Sequence, residues 1–549
     1  MTEFFDRHRP ILDAATAALR MRGFWTPFPE IPSGKIYGES ARDQGGAAFA
    51  ELQGAAFDLP GHPATERLGA ELSPYGPELR ITYPAADVDT LIAAAESARP
   101  ALAAAGARAR VGVCLESLAR LNRASFLMAN AVMHTTGQAF AMAFQAGGPH
   151  AQDRGLEAVA MAWDEMTRFA DSARWEKPQG KAAPIVLEKH WQIVPMGIAL
   201  AIGCNTFPTW NSYSGIFASL ATGNPVIVKP HPAAILPLAL TVRVLREVLT
   251  EAGLPADAVL LAVDQPDAPI TKDLATRLEV RLIDYTGSNA FGGWLCENAR
   301  QAQLFTEEAG VNSVVIAASD DFAGMCANLA FSLSLYSGQM CTAPQNIYVP
   351  EGGIDTDQGH KSHDEVAAGI AAAVDDLLAD PARAAGVLGA IANPATLARV
   401  AEARGLGRIL RASASLPEGR TASPLIIGVT DGDPACQAEC FGPVAFVVAV
   451  KDADTGIARA AELARRKGAI TAALYDTDEA RITRAVAGFA AAGVNLSINL
   501  TGNIFVNQSA AFSDFHVTGA NPAGNASLTD TAFVAPRFRR VMWRSPVTP

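Results

Sequence analysis

Runs of buried-strand character alternate with amphipathic helical runs along most of this chain, and that alternation confines it to one fold class. MGIALAIGC (196–204) reads as a buried strand, and a helix follows Trp210. PVIVKP (225–230) is a second strand, trailed by the amphipathic helix ILPLALTVRVLREVLTEAG (235–253), with Gly253 placed as a C-cap. VRLIDY (280–285) and FGGWLCENARQA (291–302) repeat the pair. Strand, helix, strand, helix means parallel βαβ units in an α/β sheet. The pattern resumes after residue 310 with NSVVIAAS, a helix over 321–337, NIYVP, and helices near 363–379 and 395–404. PLIIGV, PVAFVVAV, ITAALY and VNLSIN complete a second α/β unit, with helices near 454–467 and 477–491. FVAPRFRRVMW alternates well enough to be a strand at an interface.

At roughly 150 residues per domain, 549 residues suggest three or four structural units. Apolar residues at 49% against charged residues at 18% exclude a disordered chain. Lys plus Arg is 44 and Asp plus Glu is 56, so the net charge is 44 − 56 = −12. That balance argues against nucleic acid or an anionic membrane as the main partner. Seven scattered cysteines without a CxxC pair make neither a disulfide framework nor a zinc site, and no metal is expected. MTEFFDRHRP carries no secretory pattern, and the longest apolar stretch is about half of the ~20 residues a membrane helix needs. A reducing cytoplasm is the expected compartment.

A few positions could carry chemistry. Cys341 in SGQMCTAPQ is, taken alone, more commonly an inert buried thiol than a nucleophile. Glu307 and Glu308, in FTEEAGVNSVVI, open onto a strand; adjacent acids near a Gly are usually a solvated turn, but a carboxylate beside an electrophile can serve as a base. Glu439 precedes the Phe441-Gly442-Pro443 turn, and alone is an ordinary turn residue. No GxGxxG follows any strand. In its place DYTGSNAFG puts Gly287 and Ser288 at a helix N-terminus, whose free N–H groups suit a phosphate. Lys229 closes a buried strand and either snorkels or awaits an anion. HKSHDE (360–365) reads as a solvated loop rather than a metal site. His516, in the 510–520 loop, reads as structural rather than as a substrate contact, and Cys204 as a packing residue rather than a reactive thiol.

Together and in this order, these motifs resemble the aldehyde dehydrogenase superfamily from about residue 85 to 515. CNTFPTW resembles its asparagine motif, which implies that Asn205 stabilises the oxyanion. VIVKP matches at Lys229, YTGSNAFG at Gly287 and Ser288, TEEAG at Glu307, GQxC at Cys341, and ExFGPV at Glu439 and Phe441. The spacing from Glu307 to Cys341, 341 − 307 = 34, is the one the family shows. The resemblance implies an aldehyde dehydrogenase fold: two α/β domains, one Rossmann-like for the cofactor and one catalytic, plus a small oligomerisation element. It implies boundaries of 1–80 for an N-terminal extension, 81–305 for the nucleotide-binding domain, with 180–196 contributing to oligomerisation, 306–505 for the catalytic domain, and 506–549 for a tunnel loop and C-terminal oligomerisation segment. It implies a Cys341 thioester hydrolysed by water that Glu307 activates, a nicotinamide ribose held by Glu439, a ring braced by Phe441, and a homodimer or homotetramer. Glu307 favours acid over acyl-CoA as product.

Some positions depart from the family pattern. Pro232 stands where NAD-specific members often carry a Glu that binds the adenosine ribose. With Lys229 and His231 nearby, NADP is expected, with NAD possible. The Pro-Trp before the asparagine is Gly203-Cys204, one residue is inserted after it, and AAFSDFHVTGA (510–520) replaces the usual PFGG loop. The opening MTEFFDRHRPILDAA, GKAAPIVLEKHWQIVPMG and GCNTFPTWNSYSGIFASLATGNPVIVKPHP resemble the PaaN-type branch of bacterial phenylacetate degradation. That branch implies oxidation of a CoA-linked ring-cleavage semialdehyde to 3-oxo-5,6-dehydrosuberyl-CoA, with room in this chain for the dehydrogenase alone. The rivals are a general aromatic or aliphatic aldehyde dehydrogenase, a CoA-acylating relative, and a non-catalytic nucleotide-binding relative.

Overall fold

A computed structural model describes residues 2–527 and 530–547. Two parallel sheets organise it. The first has five strands in the order Val259–Leu261, Val226–Lys229, Ile198–Ile202, Val280–Thr286 and Gln303–Glu307. All neighbours run parallel, as βαβ connectivity requires. The second has seven strands, with Ser313–Ile316 between Asn346–Pro350 and Thr471–Tyr475, and a single antiparallel edge strand, Arg408–Arg411. The strands are near-continuous apolar runs because helices cover both faces. Val444–Val450 and Leu425–Thr430 are buried along nearly their whole lengths.

A third, antiparallel sheet stands apart. The hairpin Ser172–Gln179 with Ala182–Pro195 pairs with Phe538–Pro546 through nine residues, Phe538↔Pro195 to Pro546↔Leu187. Ile185, Val541, Met542 and Trp543 remain exposed on it.

Glu307 precedes the expected strand, Ser313–Ile316, and also closes one that was not foreseen, Gln303–Glu307, at the edge of the five-stranded sheet. Two short elements, Val259–Leu261 and Gln303–Glu307, escaped the pattern because strands this brief carry little periodicity. HKSHDE is not a loop. His360 sits in the hairpin Ile354–Thr356/Gly359–Lys361, and Ser362 and Glu365 form a capping box on the helix His363–Leu378.

Residues before 80 are woven into the molecule. Helix Glu3–Met21 buries Phe5, Leu12 and Ala15. Phe5 meets Trp163 with ring centroids 4.8 Å apart. The helix crosses Gly112 so closely that a Cβ there would lie 2.6 Å from the Phe5 backbone nitrogen. Among the described residues no helix is long and apolar enough to cross a membrane.

Candidate active site

The segment before Cys341 is held in an unusual backbone. Tyr336, Ser337 and Gly338 are all left-handed, with φ of 51°, 50° and 62°. For non-glycine residues that conformation costs about 1–2 kcal/mol each, and buried hydrogen bonds hold it. The Tyr336 hydroxyl donates to the Thr136 carbonyl at 2.5 Å, and Ser337 Oγ to that of Leu388 at 3.0 Å. Gln339 Nε2 donates to the Ala390 carbonyl, and its Oε1 accepts from the Ala392 N–H. Gly338 is required twice over. Its φ is positive, and a Cβ would come within 2.6 Å of the Gly442 carbonyl. Gly-Gln-x-Cys is thus a turn and its buried anchor. After it, Asn312 Nδ2 donates to the carbonyls of Cys341 and Ala343, while its Oδ1 accepts from Ile470 and Thr471. Asn312 was missed in the sequence; its place five residues after Glu307 was the available signal.

Glu307 is 2% exposed and holds two donors. Asn211 Nδ2 donates to its Oε2 at 3.0 Å, and His516 Nε2 lies 3.0 Å from its Oε1. His516, equally buried, has no partner on Nδ1, so the ring proton is assigned to Nε2. Nε2 is also 3.9 Å from Cys341 Sγ. Glu307, Cys341 and His516 offer atoms within 4.8 Å of one another, and among the described residues no other three His, Cys, Asp or Glu side chains do so. Burial alone would push the Glu307 carboxyl up, but His516 brings it below the ordinary value. Charge-assisted hydrogen bonds worth about 1.5–3 kcal/mol each offset its desolvation. Cys341 goes the other way: burial first, then the adjacent Glu307, push its thiol well above the usual range.

The loop that replaces PFGG brings His516, read from sequence as structural rather than as a substrate contact, beside the thiol. Residues 521–526 dock along the strand carrying Glu307. Glu308 N–H donates to the Ala523 carbonyl at 2.7 Å, and Thr306 N–H to Asn525 Oδ1 at 2.8 Å. The His516 ring meets Trp210 edge-on, centroids 4.6 Å apart.

Asn205 lies in the turn between Ile198–Ile202 and the helix Pro208–Thr222. Its Oδ1 is buried without a partner, and the amide that touches the cluster is that of Asn211. Cys204 donates from Sγ to Asn211 Oδ1, and burial pushes its thiol up to about 11.

Three of the positions expected to hold a cofactor lie at the carboxyl ends of the two strands that flank Ile198–Ile202, where α/β sheets bind ligands. Lys229 ends Val226–Lys229, and Gly287 and Ser288 follow Val280–Thr286. Exposed Ser288 caps the helix Asn289–Asn298 through the Phe291 N–H, and that helix end is open to solvent. Glu439 and Phe441 arrive from the turn before Val444–Val450, and burial pushes the Glu439 carboxyl up to about 7. An open helix N-terminus for phosphates and a desolvated carboxylate for ribose hydroxyls fit a nicotinamide dinucleotide. Lys229 Nζ sits 2.7 Å from Asp264 Oδ1. His231, pulled down to about 4 by burial and then by Lys229, is neutral at physiological pH.

A cavity of about 550 Å³ includes Cys341, Asn211, Trp210 and His516 in its wall, with Trp25 and Phe28 from the N-terminal extension. No Lys or Arg lines it among the described residues.

Comparison with known proteins decides the family. The sequence model of the aldehyde dehydrogenase family matches residues 79–520. The chain belongs to the aldehyde dehydrogenase family. As a member it is an NAD(P)-dependent oxidoreductase of aldehydes, on the family's fold of two parallel α/β units. A crystal structure of an NAD-dependent aldehyde dehydrogenase from Burkholderia multivorans is 54% identical, covers all of both chains, and superposes with a TM-score of 0.98. The N-succinylglutamate 5-semialdehyde dehydrogenase of B. multivorans is 28% identical over 389 residues, 69% of this chain and 75% of that protein. A 1-pyrroline-5-carboxylate dehydrogenase from Thermus thermophilus, 20% identical over 96% of this chain and 99% of that one with a TM-score of 0.75, shares the fold.

Proposed function

We propose that this chain oxidises an aldehyde on an uncharged, apolar body to the free carboxylic acid, with NADP or NAD and without CoA as acceptor. One observation carries the substrate class: the cavity in which Cys341 stands mixes aromatic and aliphatic side chains with uncharged polar ones, two histidines (His150 and His516) and three acids (Glu30, Asp153 and Asp514), and has no Lys or Arg among its described lining. A dianionic substrate such as N-succinylglutamate 5-semialdehyde would meet no countercharge there.

In this reading the residues divide the work as follows. Glu307 takes the Cys341 thiol proton as sulfur bonds to the aldehyde carbon, and the carbonyl electron pair moves to oxygen. The Cys341 backbone N–H and the Asn205 amide, whose carbonyl is held by no donor, receive that oxyanion. A nicotinamide held beside Cys341 would supply the hydride acceptor, and with hydride gone and the carbonyl re-formed Cys341 carries a thioester. Glu307 gives up its first proton to solvent and then takes one from water, which attacks the thioester. The C–S bond breaks, and the acid leaves. Lys229, His231, Gly287, Ser288, Glu439 and Phe441 would hold the dinucleotide.

A second reading keeps the ring-cleavage semialdehyde of phenylacetate catabolism as the physiological substrate. Its support is that Trp25 and Phe28, from the extension that the PaaN-type resemblance includes, stand in the cavity wall. Its CoA moiety would then remain outside the cavity. Domain limits of 1–80, 81–305, 306–505 and 506–549 suit this reading. The exposed face of the third sheet, with Trp543 55% exposed, suits a homo-oligomer that light scattering would detect.

The test is reduced-nicotinamide absorbance with NADP, for a free apolar aldehyde and for a CoA-linked one, without free CoA, in wild type and Cys341→Ala. Oxidation of the free aldehyde that vanishes in the variant supports the first reading. A large preference for the CoA-linked aldehyde supports the second. Activity only on adding free CoA sinks both.

A further inference from the structure

We propose that His516 is a positioning residue for the reaction: through Nε2–H it keeps the buried Glu307 carboxylate ionised and aimed at Cys341. The inference rests on the catalytic reading of Cys341 and Glu307 above. A carboxylate 2% exposed tends to take up a proton, and a protonated Glu307 could accept none from thiol or water. Its two oxygens are each held by a different donor, Asn211 on Oε2 and His516 on Oε1. Asn211 comes from the helix Pro208–Thr222 and His516 from the 510–520 loop, so elements distant in sequence converge on one carboxylate.

His516 has a second acceptor within reach. The same Nε2 lies within reach of Cys341 Sγ. When the thiol proton passes to Glu307, the S–H bond breaks and an O–H bond forms. The Nε2–H bond stays intact and turns from the neutralised carboxyl toward the new thiolate. No proton is gained or lost by His516. One donor thus serves two anions in succession, the carboxylate before transfer and the thiolate after it.

Other charged groups face this cluster from each packed element. Arg154 of the helix Pro149–Thr167 lies over the Trp210 ring at 5.0 Å and pairs with Glu157, which accepts from the Phe512 N–H. Asp514 belongs to the same loop, Arg22 covers Phe515 at 3.9 Å, and Cys204 and Glu439 act on Cys341. None of these places a donor on Glu307 Oε1. The loop's docking through Ala523 and Asn525 fixes His516 against the strand that carries Glu307.

The experiment compares the full-length wild type with His516→Gln, which keeps an N–H donor, and with His516→Met and His516→Leu, which fill the ring's volume without one. Iodoacetamide alkylation of Cys341, followed by peptide mass spectrometry, and kcat/KM for aldehyde oxidation are both measured against pH. Loss of the donor should move the acidic limb of both profiles upward by about one pH unit or more, while Gln stays within about half a unit. The comparison is read on whichever apolar variant folds, judged by thermal unfolding. A wild-type profile in Met or Leu overturns the inference, as do equal shifts in Gln and Met. Aldehyde oxidation surviving in Cys341→Ser would instead overturn the catalytic reading beneath it.

Discussion

Arg537 grips Asp284 through two parallel hydrogen bonds, Nη1 to Oδ2 at 2.9 Å and Nη2 to Oδ1 at 2.6 Å. The guanidinium is fully buried, lies over Phe305 and Phe533 at 4.2 and 4.3 Å, and donates again to Ser219. It fastens the start of strand Phe538–Pro546 to the central part of the five-stranded sheet. Removing one partner of a buried pair leaves the other uncompensated, typically at about 3–5 kcal/mol. Asp284→Ala should therefore lower the apparent unfolding temperature sharply. An unfolding temperature close to wild type in calorimetry would contradict this.

Lys229 is already neutralised by Asp264, so a 2′-phosphate must compete with that carboxylate. Asp264→Asn should raise the NADP-to-NAD ratio of kcat/KM by about tenfold, equivalent to ~1.4 kcal/mol. Pro232 places no carboxylate against the phosphate, so wild type should use NADP measurably. Steady-state kinetics with both cofactors checks the two statements; an unchanged ratio in Asp264→Asn would refute the first.

Trp25 stands in the cavity wall and meets Phe512 edge-on at 5.0 Å. Trp25→Ala should raise KM for an apolar aldehyde several-fold and leave kcat nearly unchanged, because the ring binds ground state and transition state alike. A fall in kcat at constant KM would place Trp25 in the chemistry instead.

Glu439, raised to about 7 chiefly by burial, is half protonated near neutrality. Its carboxylate accepts ribose hydroxyls better than its acid form does. Cofactor affinity should rise as pH increases through about 7, and Glu439→Gln should flatten that dependence. Calorimetric titration from acid to mildly alkaline pH distinguishes the two.

Much of the chemistry was legible because it depends on local pattern. Gly338, Gln339 and Cys341 lie within four residues, and their spacing records a turn that Gly alone allows at its tightest point. Lys229, Gly287 and Ser288 were readable as strand ends for the same reason. The Asn211 and His516 contacts with Glu307 were not, because they span 96 and 209 residues of chain. No periodicity reports which loop folds back onto which strand. Asn205 and Asn211 share one turn-helix segment, and only three-dimensional placement shows which amide reaches the carboxylate. The antiparallel sheet was legible in part: FVAPRFRRVMW alternates well enough to read as a strand, while the place of residues 180–196 came only from the family resemblance.

The family match begins at residue 79, yet Trp25 and Phe28 stand in the wall of the cavity that holds Cys341. Part of the cavity wall is thereby encoded outside the stretch that carries the reacting groups. A change of preferred aldehyde could arise by drift or exchange within the first eighty codons, leaving the reacting groups and their clamp untouched. For the same reason, substrate assignments transferred from relatives aligned only over the shared segment omit part of the surface that reads the substrate.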